Sequence, residues 1–585
     1  MNLRHAVRCV SFALLFSALP GGVGEASADA APITIDCDLS DWDPVPYAYQ
    51  DASGDGGGSG IDFGKLWVAN DGGRLYLRVE TGGDVLIAES NSLTLYIDTD
   101  DNSSTGTAVA GMGADLTWVF GSRSGSYRGS SIYWDDIGVV ASPPYTTNDL
   151  EFSLRRDAAP NGYALFPSTT VRIAFRDGAG GGDWVPGSSS NVSYTFDDSD
   201  PLDPPLIELG KSDPDHVRIM THNVLNDGLW SRPNEFSRLL QAIDPDIIAY
   251  EEIYNHNGNQ TKTWVQNVLP GTWYLDWDWE LQILSRHPIL QGWDTGEGQA
   301  RAALIDLPLP FEHDLLVIAV HLKCCSDGDA QRQDQIDDVM SFVRDALSPG
   351  GAITLAQDTP IIILGDTNMY GDARQVTTLL TGDISDNGAY GPDFAPDWDG
   401  SELDAVVSRQ PSVRQAYTYY NEGSSYGPSH IDRITVTGSV LNIDKSFVLH
   451  TPLLPPAVLA AAGLNADDSI VASDHAPHVM DFAAGTGDTA VENPVPVIPE
   501  TRLSGSPNPF NPTTTLRFTL PEPGPVTLDV FDTGGRLVER LVDGPRDGGR
   551  NSVVWSPGSR APSGVYLVRL RAGEIDQSAK VVLVR

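Results

Sequence analysis

Positive charge is scarce in this chain, cysteine is scarcer, and long apolar runs end with the N-terminus. Against 79 Asp+Glu stand 37 Lys+Arg, giving a formal net charge of −42 and a pI ≈ 4.3. Such a surface repels polyanions at long range, which argues against a tight, sequence-reading DNA binder. It does not exclude phosphate-ester chemistry, because a divalent cation held locally overrides the global field. Of the four cysteines, Cys37, Cys324 and Cys325 lie beyond the leader, an odd number. The adjacent Cys324-Cys325 pair lacks the spacing of a zinc site. A strained vicinal disulfide and two separate thiols both remain open. After the N-terminus no segment reaches the ~20 apolar residues of a membrane span, so no stable span is expected.

The leader itself is informative. Arg4, His5 and Arg8 precede an apolar run from Cys9 to Leu19, and Ala26-Ser27-Ala28 offers small residues for cleavage. Residues 1–28 read as a signal peptide, and the run is too short to anchor the chain. The expected protein is secreted or attached to the cell surface. At 585 residues with 41% hydrophobic content, about three or four domains with ordinary cores are affordable.

Two Pro/Asp-rich stretches without periodicity, "DDSDPLDPPLIELGKSDPD" and "GTGDTAVENPVPVIPE", read as linkers at 201–214 and 485–500. They leave parts at 30–200, 215–484 and 501–585. The first consists of short alternating runs ("KLWVAND", "RLYLRVET", "SLTLYIDTD", "ADLTWVF", "VRIAFRD") between Gly, Asn, Asp and Ser clusters, the pattern of a β-sandwich. Asp98, Asp100, Asp101 and Asn102 are hard oxygen donors for Ca²⁺, with a solvated acidic turn as the equal alternative. Trp42 and Trp134 read as core residues rather than sugar platforms. "ITIDCDLSDWD", "VANDGGRLYLRVE" and "LYIDTDDNSSTG" resemble sandwich modules related to family 9 carbohydrate-binding modules, which implies a carbohydrate ligand. The last part is again β, and "SPNPFNPTTTLRFTLP", "VFDTGGRLVERL" and "APSGVYLVRL" resemble the Ig-like sorting domains of type IX secretion and the similar hook-capping domains. That resemblance implies export across an outer membrane and contact with the secretion machinery.

The middle part carries the chemistry. "TPIIILGDTN" is an apolar run that ends on Asp366 and Asn368, spaced so that both would face one point if the strand continued. Polar residues end the other strands too: Asn223 after "VRIMTH", Glu251-Glu252 after "DIIAY", His321 after "LLVIAV". Asp432 opens "IDRI", and Asp474-His475 precede "HVMDFA". Helices are expected at "PNEFSRLLQAI", through Phe236, Leu239, Leu240 and Ile243, and at "QRQDQIDDVMSFVRDAL". In the order "THNV", "PDIIAYEEI", "ILSRHPI", "VHLK", "GDTN", "HIDRI" and "SDHAPHVM", these motifs resemble the endonuclease/exonuclease/phosphatase superfamily. Its members include deoxyribonucleases, abasic-site endonucleases, sphingomyelinases and inositol polyphosphate phosphatases.

The resemblance implies a multidomain chain whose centre is a four-layer α/β sandwich between two β-sandwiches, the last Ig-like. It implies Mg²⁺, or alternatively Mn²⁺, held by Asn223 and Glu252, with Asp474 helping with the metal or its waters. Asp366 would orient and deprotonate the attacking water, and Asn368 would bind a phosphate oxygen. His475 would contact the phosphate as an imidazolium or supply a proton, with Asp432 on its other ring nitrogen. His321, held by Glu280, would assist the leaving oxygen. Arg286, Arg301 and Lys323 are candidate phosphate contacts, with exposed or ion-paired side chains the equal alternative. Glu251 departs from the family's usual Gln, and an extra carboxylate there would add negative charge beside the metal. The expected activity is an exported phosphodiesterase, foremost a nuclease acting on DNA or RNA without sequence specificity. A sphingomyelinase or other phospholipase and a phosphatase are the alternatives. A non-catalytic cell-surface binding protein is disfavoured because Asp366, Asn368 and His475 are all present.

Overall fold

The computed structural model describes residues 30–56, 60–89, 91–199, 202–295, 299–484 and 503–584, the last apart from 507–509, 511–512, 521–523, 534, 547–548, 559–560 and 574. The expected signal peptide 1–28 and the linker 485–500 lie outside the described residues. Among the described residues no helix is long and apolar enough to cross a membrane.

The N-terminal part packs a five-stranded sheet on a seven-stranded one. Alternation decides which side chains meet. Leu75, Leu77 and Val79 of Arg74–Val85 face Leu93, Leu95 and Ile97 of Leu93–Asp98 across one apolar core, joined by Trp118, Phe152 and Phe175. Tyr76, on the opposite side of its strand, packs with Trp67 and Ala69 under Ile33, Ile35 and Trp42, so the N-terminal segment covers the outer face. Trp42 and Trp134 are 1% and 3% exposed, as core residues should be.

The middle part is built from strands β1 (Val217–Asn223), β2 (Ile247–Glu251), β3 (Tyr274–Asp278), β4 (Leu281–Ser285), β5 (Ile289–Asp294), β6 (Ala300–Ile305), β7 (Leu315–His321), β8 (Ile361–Asp366), β9 (Asp404–Ala405), β10 (Asp432–Val436), β11 (Leu441–Val448) and β12 (His478–Ala484). They form two six-stranded sheets, in the orders β3-β4-β2-β1-β12-β11 and β5-β6-β7-β8-β10-β9. Ile219, Ile247 and Ile283 of one sheet meet Val317, Ile362 and Ile434 of the other in a shared core. Burial on both faces explains why these strands read as continuous apolar runs.

Helix α1 (Pro233–Ile243) covers the outside of the first sheet with Phe236, Leu239, Leu240 and Ile243, the residues expected from their spacing. Helix α2 (Gly258–Val268) opens with a capping box between Asn257 and Gln260. Helix α3 (Asp329–Leu347) lays Ile336, Val339, Met340 and Val343 on the outside of the second sheet. The result is four layers. The stretch read as a linker before β1 is in fact packed: Ile207 and Leu209 are buried, and the Leu209 carbonyl accepts from Arg218 Nη1 at 2.7 Å. Arg218 is itself buried against Asp481.

The C-terminal part pairs a three-stranded sheet with a four-stranded one around Phe510, Phe518, Trp555, Tyr566 and Val568.

Candidate active site

Register sets the site. β7 and β8 run parallel with His321 beside Asp366, and β10 runs antiparallel with Asp432 opposite Asp366. Three polar residues therefore form a row across one edge of the second sheet. In the facing sheet β1 and β2 are parallel and place Asn223 beside Glu251. Gly365 lets β7 and β8 pair this closely: a Cβ there would lie 2.0 Å from the Val320 carbonyl oxygen.

Asp366 is the hub. Its Oδ2 lies 3.7 Å from His321 Nε2, 3.8 Å from His475 Nε2 and 3.1 Å from Asn223 Nδ2. Each imidazole is fixed from behind by its own carboxylate, His321 Nδ1 by Glu280 at 2.8 Å and His475 Nδ1 by Asp432 at 2.8 Å. Burial opposes charge on both rings, but the carboxylates outweigh it. His475 is pushed up to about 10, chiefly by Asp432 and Asp366, and His321 to about 9 by Glu280 and Asp366. Both rings are cationic at neutral pH. Burial raises the Asp366 carboxyl above its ordinary range despite the two cations. Two other buried histidines behave in the opposite way: His222 and His478 have no carboxylate on the ring, and burial takes both down to about 4.

Asn223 Nδ2 also donates to Glu252 Oε1 at 3.0 Å, so one amide nitrogen spans two carboxylates. Glu252 has a positive φ of 65°, a backbone that turns its side chain toward Asn223. Asp474 sits beside His475 with Oδ2 on Asn421 at 3.3 Å and Oδ1 buried without a partner. The carboxylates gathered here are the hard oxygen donors that suit Mg²⁺ or Mn²⁺ and fit such an ion, whereas Asn223, expected as a metal ligand, turns its amide nitrogen to them while its Oδ1 accepts from the Leu225 N–H at 3.0 Å.

Several expectations need correction. Asp366 and Asn368 are not related by strand alternation: β8 ends at Asp366, and Asn368 turns into the left-handed region (φ 48°) with its N–H on Asp366 Oδ1 at 3.0 Å. Its Nδ2 donates to the Leu322 carbonyl at 3.1 Å. Glu251 is fully buried and accepts from Thr221 at 2.6 Å, and burial pushes its carboxyl well above the ordinary carboxylate range. Arg286 lies at the opposite end of the sheet, because β4 is antiparallel to β2, and pairs with Asp244. Arg301 is neutralised by Asp276 and Asp294. Lys323 is exposed one residue past Leu322, whose N–H reaches the Asp366 carbonyl. In the N-terminal sandwich Asp98 and Asp100 gather with Asp115, and Asn102 donates its N–H to Asp98 Oδ1 at 3.1 Å while its own Oδ1 accepts from the Ser104 N–H. Cys324 and Cys325 are free thiols with sulfurs 2.7 Å apart.

Sequence reasoning missed the supports. Ser473 Oγ donates to the Asn223 carbonyl and accepts from the His475 N–H. Thr418 Oγ1 accepts from the Asp432 N–H at 2.9 Å, and Tyr419 sets its ring edge-on to His475. No signal marks these residues, since Ser and Thr are common in any turn.

The N-terminal sandwich buttresses this loop from behind. Trp134 Nε1 donates to the Ser424 carbonyl at 3.0 Å and its ring meets Tyr420 edge-on, while the Tyr420 N–H donates to the Asp474 carbonyl. Tyr426 donates to Glu89 at 2.5 Å and lies under the Arg123 guanidinium, 4.0 Å from ring centre to carbon. The Thr146 N–H reaches the Gly371 carbonyl, three residues past Asn368. Arg123→Ala is expected to lower turnover about tenfold, since small misplacements of a reacting group are costly, while shifting the melting temperature by only a few degrees. Steady-state rates and a thermal melt of the same preparation check this.

With the geometry in place, residues 220–475 match the Endonuclease/Exonuclease/phosphatase family. The middle of this chain is an endonuclease/exonuclease/phosphatase domain. Solved structures similar to the chain include truncated Caenorhabditis elegans TDP2, at 14% identity over 46% of this chain and 97% of that one, with a TM-score of 0.29. ANGEL2, a 2′,3′-cyclic phosphatase, is similar at 14% identity over 46% and 95%, with a TM-score of 0.33. An AP endonuclease from Archaeoglobus fulgidus is similar at 13% identity over 45% and 98%, with a TM-score of 0.28. No curated protein matches the chain. Both histidine–carboxylate pairs and the Asn223–Glu252 pair belong to this domain.

Proposed function

We propose that the chain is an exported, divalent-cation-dependent phosphodiesterase that cuts nucleic acid without reading its sequence. The observation that carries this reading is one carboxylate, Asp366, set between two imidazoles that are each held by a further carboxylate. Phosphodiester hydrolysis needs a base for water, cations for the phosphate oxygens and a proton for the leaving oxygen. Asp366, its carboxyl raised by burial, is placed to take a proton from water. His475, kept cationic by Asp432, faces the phosphate, and His321, kept cationic by Glu280, serves the leaving oxygen. The second amide hydrogen of Asn368 serves a phosphate oxygen. Glu252 and Asp366 would hold Mg²⁺ through carboxylate oxygens, with Asp474 contributing its unpartnered oxygen and the Asn223 amide nitrogen positioning the first two. When bound, the ion supplies charge neutralisation at the phosphate.

Signal, sorting and surface-attachment roles for residues 1–28 and 501–585 belong to the same proposal, as does Ca²⁺ at Asp98, Asp100 and Asp115. The test incubates the secreted chain with single-stranded and plasmid DNA, and separately with sphingomyelin vesicles, in Mg²⁺ and in EDTA. DNA cutting that EDTA abolishes is the expected result. Lipid cleavage alone would move the protein to a phospholipase.

A further inference from the structure

The β3–β4 hairpin turns in two residues, Trp279 and Glu280. Two-residue hairpin turns favour Gly, Asn or Asp, because the backbone must enter positive φ. Here both positions hold other residues. Glu280 is explained: it reaches inward to His321. Trp279 has φ 42° and is 57% exposed, so this turn places a bulky residue in a left-handed conformation and leaves its indole in water. Both are unfavourable for folding. Its neighbour Trp277, 39% exposed, lays its ring against Gly258, where an added Cβ would come within 2.6 Å.

Trp279 leans on Tyr254, ring centres 5.6 Å apart. The next residue of the turn, Glu280, holds His321 Nδ1 at 2.8 Å, so the indole stands at the rim of the catalytic cluster. Next to it in sequence stands the exposed Asp278, while Asp276 is paired with Arg301 and Glu280 is buried on His321. The Asp278 carboxylate argues against a phosphate at that spot and against insertion into a bilayer, which would have to bury it. A flat, uncharged π-face next to the cleaved phosphate satisfies both limits.

Resting on the nuclease reading above, we propose that Trp279, backed by Tyr254, is a stacking platform for an unpaired nucleobase adjacent to the scissile phosphate, so that the preferred substrate is single-stranded. In a duplex both faces of a base are occupied by its neighbours, and stacking on an aromatic side chain is open to any base of a single strand.

The test uses the full secreted chain, with Trp279→Ala and Trp279→Phe. Binding to oligothymidylate and to an abasic oligomer of equal length is measured in EDTA, and cleavage of oligothymidylate in Mg²⁺. The expected result is about tenfold weaker oligothymidylate binding by Trp279→Ala, most of it restored in Trp279→Phe. The abasic strand should show no such loss, and in cleavage the change should fall on KM rather than kcat. Equal loss on both strands would overturn the platform. So would wild-type binding of phosphatidylcholine vesicles that Trp279→Ala lacks, which would put a bilayer in place of the base. If the wild type cuts DNA and Trp279→Ala binds the base-bearing strand as tightly, the platform is wrong and the nuclease stands. If the wild type cuts no nucleic acid, the nuclease reading itself falls.

Discussion

Asp366→Asn is expected to lower turnover by about 10³-fold or more while leaving the fold intact. A positioned general base contributes roughly 10²–10⁴-fold, and this residue is also the shared neighbour of both imidazoles and of Asn223. The substitution is nearly isosteric. The side-chain oxygen that accepts the Asn368 N–H can be kept, so the turn after β8 survives. Removing the charge also removes the cost of burying a carboxylate that burial already drives toward its neutral form. The new amide nitrogen replaces the oxygen that accepts from Asn223, which offsets this gain, so the melting temperature should stay within a few degrees of wild type as activity disappears. A thermal melt and a cleavage time course on one preparation check both halves. Turnover within tenfold of wild type would show that Asp366 is not the base.

That a carboxylate ends β8 was legible from "IIILGDTN", and so was the meeting of Asp366, Asp432 and His475, because strand-end polar residues in this order match a family frame. The layers were legible for a related reason. Strands buried on both faces read as unbroken apolar runs, and α1 and α3 kept the helical spacing of their buried residues. What failed was local geometry and partner choice. The strand alternation assumed for Asn368 is broken by its left-handed backbone. Glu251 lies on a strand sealed inside the domain, where burial raises its carboxyl, which the run of polar strand ends did not show. Arg286 and Arg301 were plausible by position in sequence, but only antiparallel pairing shows that one lies at the wrong end and the other is shared by two aspartates. The buttress of Trp134, Glu89 and Arg123 joins residues about 290 to 340 positions from their partners, a separation at which a single sequence carries no signal.

Asp432→Asn should cost 10²–10⁴-fold in turnover at pH 8, and its pH dependence separates two explanations. Both oxygens of Asp432 lie within 3.0 Å of His475 Nδ1. In wild type they fix the ring and, with Asp366, carry its pKa to about 10 against burial. His222 and His478, equally buried and lacking a carboxylate on the ring, fall to about 4. Removing the Asp432 charge moves His475 from the first behaviour toward the second. The carboxylate behind the histidine of a serine-protease triad is worth about 10⁴-fold. Because the active ring is the protonated one, wild type keeps it charged throughout the neutral range, whereas the variant loses the proton at lower pH. The alkaline limb of the kcat profile must then move toward acid, and the deficit must be smallest at the lowest pH at which the protein stays folded. Rates from pH 5 to 9, with a melt at each pH, give the profile. A deficit of the same size at every pH would mean that Asp432 only aims the imidazole and that its charge is not what His475 uses.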